Sequence, residues 1–406
     1  MITEPVLSRN SEPTSEAGPD PSWNPLKCEG TGLPVNLTIL VKVLALVLLL
    51  TNHVRLLPDP WLPFIPSIDL IPPALFQRTL QTVFILSALA IVFNRRLRIA
   101  SLVLGGAMLL AVVSSKAYYG NNKTFCGLML FLAGLYKPGG YPFLRWQLAL
   151  TYFGAGLNKA LDGDWHSGVF FQNWAVNRLH QTWYMTLDRW LPPMFLARFM
   201  CWTTIITELG VVPCLLVPQL YYWGILANIL FQASLVLFTG TTFTVFFYSM
   251  SAASLAFVEW PPSPVSVFYD PSDRLALFAK TFLQPWDVDK RFLWNPNPSE
   301  PNANANPNST LLSKLSLVAN SKVYTRFRAL RMIVLLNPVT YFVIAGSIAA
   351  VEALTYAPVY RRVIVGVSLL FLLPPLAWIA DHFPSGGGSR QPRTVAAGSG
   401  DPIAES

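Results

Sequence analysis

Charge is what this sequence has least of. Only 12% of its 406 residues are Asp, Glu, Lys or Arg, against 53% hydrophobic, and a water-soluble globule of that composition would lack the polar cover its surface needs. Cysteine and histidine are sparse, four of each. Cys28, Cys126, Cys201 and Cys214 show neither metal-ligand spacing nor a Cys-x-x-Cys pair, so no cysteine metal centre and no dithiol motif is expected. The last three sit in apolar stretches, where a lone cysteine acts as a small hydrophobe. Acidic residues are outnumbered 21 to 29, for a net charge of +8. The basic residues are scattered between apolar runs, a distribution that fits loops facing anionic lipid headgroups and not nucleic acid. The first 34 residues lack a basic stretch leading into an apolar core. Rich in Ser, Pro and Glu, they read as a disordered tail and not as a cleaved signal peptide.

Long apolar runs are what the chain does have. Scanning for about 20 mostly apolar residues gives ten segments: 35 to 54, 74 to 94, 97 to 115, 124 to 137, 143 to 160, 193 to 217, 219 to 239, 242 to 258, 332 to 355 and 361 to 381. The expected fold is an all-α polytopic membrane protein of about ten transmembrane helices, with the lipid bilayer as its surroundings. Residues 35–260 form an eight-helix unit, 261–331 a cytoplasmic segment, 332–381 two further helices and 382–406 a second disordered tail. "NRRLR" at 94 to 98 is the strongest basic cluster and is placed in the cytoplasm. Alternation then puts both termini inside, residues 159 to 192 outside, and Lys280, Lys290, Arg291, Lys314, Lys322, Arg326, Arg328 and Arg331 inside. Arg361 and Arg362 conflict with this scheme by falling outside. The expected location is a plasma or inner membrane.

The stretch "ALTYFGAGLNKALDGDWHSG", residues 149 to 168, begins as a membrane helix and then gathers Lys159, Asp162, Asp164, Trp165 and His166. Gly154 and Gly156 leave room for a second backbone or a flat ligand. Two readings stand. Lys159 snorkels to the headgroups while Trp165, Trp174, Trp183 and Trp190 form an interfacial belt, or the stretch is the polar mouth of a cavity. Glu208, inside "CWTTIITELGVVPCLLV", costs several kcal/mol in hydrocarbon unless paired, protonated or turned to a cavity. Pro213 frees a carbonyl in the same helix. Asn228 and Gln232 set two amides one turn apart on the next helix, where interhelical hydrogen bonding without chemistry is the plain alternative.

"YGNNKTFCGLMLFLAGL", then "LTYFGAGLNKALDGDWHSG", then a Trp-rich segment, resembles the membrane domain of vitamin K-dependent gamma-carboxylase and its bacterial relatives, the horizontally transferred transmembrane (HTTM) domain, over roughly residues 35 to 260. The resemblance implies a lysine base acting on a reduced, vitamin K-like quinol, a role that falls on Lys159; in that enzyme reading Glu208, singled out by its place in an apolar helix, is the second catalytic residue and tunes charge inside the cavity. The candidate substrate-lining set is Asn121, Asn122, Asp164, Trp165 and His166 from the matched motifs, with Asn228 and Gln232 from the two amides that could line the same cavity. The residues alone identify no cofactor; a quinone or vitamin K-like quinol is implied by the resemblance only. Such a base must be neutral, which desolvation of an amine favours. The family's Asn-Asn-His run stands here as Asn121, Asn122 and Lys123, and one extra residue separates Lys159 from the Asp-Trp pair. The carboxylase's large lumenal part has no counterpart, so peptidyl-glutamate carboxylation is not expected.

"VSVFYDPSDRLALFAKTFLQPWDVDKRFLW", with "SKVYTRFRALRMIVLL" after a low-complexity break, is similar to the DCC thiol oxidoreductase-like domain. That family's turn carries Cys-x-x-Cys, activated by a helix N-terminus. The matching positions are Asp273 and Ala276, so a degenerate module without dithiol chemistry is expected. Three function classes remain: an HTTM-type enzyme acting on or binding a lipid-soluble quinol-like molecule at the outer face, a noncatalytic lipid-binding or scaffold protein, and a transporter using Glu208 as a proton or cation site. No internal repeat supports transport.

Overall fold

The computed structural model describes residues 23–50, 66–114, 120–137, 142–239, 244–258, 260–296, 315–320 and 322–356. Helices dominate. The bundle is built from α1 (Val35–Leu50), α2 (Pro66–Asp69), α3 (Pro73–Val92), α4 (Leu97–Ser114), α5 (Asn121–Gly134) and α6 (Pro142–Ala160). Three short helices follow, α7 (Gly163–Ser167), α8 (Val169–Asn173) and α9 (Thr182–Asp188), and then α10 (Phe195–Leu216), α11 (Tyr221–Thr239) and α12 (Thr244–Ala253). Pro73 opens α3 at a position where its missing N–H costs nothing. Pro213 sits in the last turn of α10, so it releases one carbonyl without ending the helix early.

A small α/β unit comes next: β1 (Val265–Tyr269), α13 (Arg274–Leu283), β2 (Phe292–Pro296), β3 (Leu315–Ala319), β4 (Lys322–Thr325) and α14 (Phe327–Leu335), followed by α15 (Pro338–Tyr356). The sheet order is β2-β1-β3-β4. β1 pairs parallel with β2 across the α13 crossover, and the β3–β4 hairpin pairs antiparallel to β1, with Val267 between Trp294 and Leu317. Strand β1 alternates buried and half-buried side chains, the period of a sheet with one covered face. Val265, Val267 and Tyr269 share a core with Ala276, Ala279 and Leu283 of α13 and with Ala329 and Ile333 of α14.

Ten spans are not what the described residues show. Three helices, α3, α4 and α10, are long and apolar enough to cross a membrane, and a fourth span exists only if α14 and α15 count as one broken helix. The physical reasons differ by segment. Helices α1, α5 and α12 have 16, 14 and 10 residues, short of the ~20 a straight span needs. Helix α6 is diluted by Arg145, Gln147, Asn158 and Lys159. The segment expected over 332 to 355 is two helices bent by 75°, because Pro338 cannot continue the hydrogen-bond ladder and Asn337 Oδ1 accepts the Val339 N–H at 3.0 Å. The segment 361 to 381, the Arg361–Arg362 pair, the low-complexity insert and the 382–406 tail lie outside the described residues.

The stretch 23–34, expected within a disordered tail, is packed. Leu26, Cys28 and Leu33 join the bundle core with α1. Asp289 accepts the backbone N–H groups of Cys28 and Glu29 at 3.1 and 3.4 Å. Apolar burial and these bonds together offset the entropy of ordering the segment.

Candidate functional site

Helices α6 and α10 meet where Gly156 faces the next helix. A Cβ there would lie 2.8 Å from the Leu209 side chain and 3.2 Å from Glu208 Cβ, so glycine lets the two helices approach closely and a larger residue would have to displace Leu209. One turn on, Lys159 Nζ donates to both Glu208 oxygens, at 2.8 and 2.6 Å. The lysine side chain keeps 20% of its surface exposed and the glutamate 8%. Glu208 faces inward because it falls on the stripe Cys201, Ile205, Glu208, Val211 and Leu215, the buried side of α10, spaced at the helical period.

Aromatic faces flank the pair. The Trp165 ring centroid is 5.2 Å from Lys159 Nζ, within cation–π range, and Trp165 stacks on Phe170 at 4.3 Å. His166 stacks on Trp202 at 5.2 Å, and its Nε2 lies 2.7 Å from the Ala160 carbonyl, which fixes the proton on that nitrogen. The turn is held by Asp162, whose side chain accepts the Asp164 N–H at 2.9 Å, and by Gly168 at φ 84°. A Cβ on Gly168 would meet the Arg198 backbone nitrogen at 2.8 Å, so this left-handed corner requires glycine. Asp164 itself is exposed.

Below the pair runs a second polar group. Tyr152 donates to Asn228 Oδ1 at 2.5 Å and accepts from Gln232 Nε2 at 2.9 Å. Asn228 Nδ2 donates to the Met250 carbonyl at 2.9 Å and to Ser254 Oγ at 2.7 Å. Among the described residues, Gln232 Oε1 is buried with no hydrogen-bond partner. Tyr152 was not among the residues expected from sequence. The signal was present, since Tyr152, Gly156 and Lys159 follow the i, i+4, i+7 pattern of one helix face.

Expected site residues therefore separate. Lys159, Glu208 and Trp165 come together, with His166 beside them on Trp202; Asn228 and Gln232 join through Tyr152. Asn121 and Asn122 stand on the first turn of another helix, α5, where Asn122 Oδ1 accepts the Lys123 N–H at 2.9 Å. Among the described residues, no three His, Cys, Asp or Glu side chains are placed to hold a metal ion.

A further polar cluster ties the α/β unit to the bundle. Arg291, buried, pairs with Glu29 and donates to the Pro261 carbonyl at 2.6 Å. Lys42 of α1, also buried, donates to the Pro25 and Lys27 carbonyls at 2.7 and 2.5 Å. Burial pushes the Asp289 carboxyl up to about 6, against the opposing pull of the Cys28 and Glu29 N–H groups. Burial also raises the Cys28 thiol to about 12 and lowers the Arg291 guanidinium from its ordinary value. None of these residues belongs to the site set expected from sequence.

Comparison with protein-family models, curated proteins and solved structures gives no match for this chain.

Proposed function

We propose that this chain is a multi-pass membrane protein that holds a lipid-soluble, quinol-type hydroxyl at the mouth between α6, α7 and α10, and takes up its proton at the Lys159–Glu208 pair. The observation that carries this reading is a half-open ion pair flanked by aromatic faces. Trp165 and Phe170 offer a stacking surface for a flat ring, and the pair offers an acceptor and a cation for its hydroxyl. The order of the motifs around Lys159 supports an HTTM-type membrane domain. The βαβ unit, with Asp273 capping α13 through the Ala276 N–H at 3.3 Å, supports a DCC-like module. Cysteines at those two positions would make a thioredoxin-like motif; with Asp and Ala there, dithiol turnover is not part of the function.

The pair modifies the role the resemblance implies. A lysine bonded to both oxygens of a carboxylate is a counter-ion and not a free amine. Glu208 is then the proton acceptor, and the Lys159 ammonium stays opposite the oxyanion left behind, so the site keeps its charge balance as the proton moves.

The test uses purified full-length protein in nanodiscs with a short-chain naphthoquinol kept reduced under anaerobic conditions. Wild-type protein should bind the probe and promote ionisation of its hydroxyl. Glu208→Gln should keep most binding and lose the ionisation, and Lys159→Met should lose both. No binding by wild-type protein, or equal behaviour of all three, overturns the proposal. A second reading has its own support: the close approach at Gly156 makes the pair a clamp between α6 and α10. Under that reading the charge-swapped Lys159→Glu/Glu208→Lys protein regains stability and nothing else depends on the pair's polarity.

A further inference from the structure

A groove of about 820 Å³ runs along α3 and α4 and ends at the turn between them, a volume in the range of small-molecule sites. It shares no residue with the Lys159–Glu208 mouth. Its wall is apolar and comes from helices long and apolar enough to cross a membrane: Val83, Leu86 and Ala90 on α3, with Ile99 and Val103 on α4. Its end is basic, formed by Arg95 and Arg96 beside the Gly30–Gly32 loop, and among the described residues no acidic side chain lines it. Arg95 is held over the Trp23 ring, 3.8 Å from the centroid, and its Nε is buried with no hydrogen-bond partner among the described residues. Arg96 is exposed and stands at φ 45°, a conformation uncommon for a side chain of this kind. The turn is pinned there by Asn94, whose Nδ2 donates to the Asn24 and Lys27 carbonyls at 2.9 and 3.2 Å.

We propose that this groove binds an anionic phospholipid, its acyl chains along the α3–α4 wall and its phosphate at Arg95 and Arg96. Chemistry selects the ligand. Two guanidiniums at a groove end with no acidic side chain among its described lining residues recognise a phosphate, and a wall of Val, Leu and Ile ending at that charge suits a phosphate carried on hydrocarbon in preference to a free ion. Planar arginine forks at the boundary of an apolar helix pair are also where an anionic leaflet presents its headgroups. The inference rests on the membrane reading given above but not on quinol binding, and its readout is separate.

Native mass spectrometry of the full-length, delipidated protein tests it, with phosphatidylglycerol and phosphatidylcholine of identical chains. Wild-type protein should retain phosphatidylglycerol preferentially. Arg96→Gln, an exposed change that leaves Arg95 on Trp23, should reduce that preference about fivefold, and Arg95→Gln/Arg96→Gln should abolish it. Ala90→Trp, which fills the wall, should reduce retention of both lipids. Equal retention of the two lipids by wild-type protein overturns the proposal, as does an equal loss in the remote basic variant Lys322→Gln. Displacement of the lipid by millimolar inorganic phosphate overturns it in favour of a simple ion site.

Discussion

Removing one member of the Lys159–Glu208 pair strands the other charge in a setting that water reaches only from the mouth. For fully buried pairs that loss is about 3–5 kcal/mol; with the lysine partly exposed, Lys159→Met and Glu208→Gln should each cost less, on the order of 2 kcal/mol. The double variant should cost less than the sum, because neither charge is left alone, and thermal unfolding of all four proteins in one detergent measures this coupling. Asp289 gives a pH dependence of opposite character to an exposed salt bridge. Its folded value of about 6 lies above the unfolded value of 3.8, so its contribution to stability is fully present below about 3.8 and is lost as pH rises through 6. Between about pH 4 and 6.5 the unfolding midpoint should fall, and Asp289→Asn should flatten that slope; a slope unchanged by the substitution would contradict the assignment. Both clusters hold polar residues visible in the sequence as exceptions in apolar surroundings. Their pairing was not visible, since Lys159 and Glu208 are 49 residues apart and Cys28 and Asp289 are 261 apart, and periodicity carries no information over such distances.

At the scale of the element, one face of α6 does most of the organising. Tyr152, Gly156 and Lys159 lie along it and address Asn228, Leu209 and Glu208 in turn. Tyr152→Phe would leave Asn228 Oδ1 and Gln232 Nε2 without their hydroxyl partner, at a cost of about 1–3 kcal/mol per buried group left unsatisfied. Gly156→Leu should be more damaging for function than its size suggests, because it separates the backbones that set the ion-pair distance. The measurement is quinol binding alongside thermal stability: Tyr152→Phe should mainly lower the unfolding temperature, and Gly156→Leu should lower both. Apolar runs located most of these helices within a few residues, because hydropathy reports which side chains avoid water. It does not report where a ladder breaks. The bend at Pro338, the shortness of α1 and α5 and the amphipathic α14 packed on the sheet were read as parts of spans because all three are rich in apolar residues.

Across the whole molecule, the ends of the bundle differ in chemistry. Arg145, near the start of α6, donates to the Ala256 carbonyl at 2.9 Å, in the turn that leads into the α/β unit. Asn36, at the start of α1, donates to the Leu255 and Val258 carbonyls beside it. The Asn94 turn with its arginines grips residues 24 and 27, and that segment in turn is held by Asp289 and Arg291. Basic loops, amino-terminal segment and sheet thus converge on one end. Lys159 stands near the opposite end of the 19-residue α6, about 21 Å along the axis from Arg145 and so short of the ~30 Å of a hydrocarbon core. The expected orientation, basic side in and Lys159 mouth out, is a proposal that labelling tests. Single cysteines in a background without the native four decide it. Asp164→Cys, beside the mouth, should react with a membrane-impermeant maleimide on intact cells, whereas Lys322→Cys, on the sheet, should react only after permeabilisation. Labelling of both from the same side would mean that α6 lies along the membrane surface and does not cross it, and the proposed outer mouth would have no membrane beneath it.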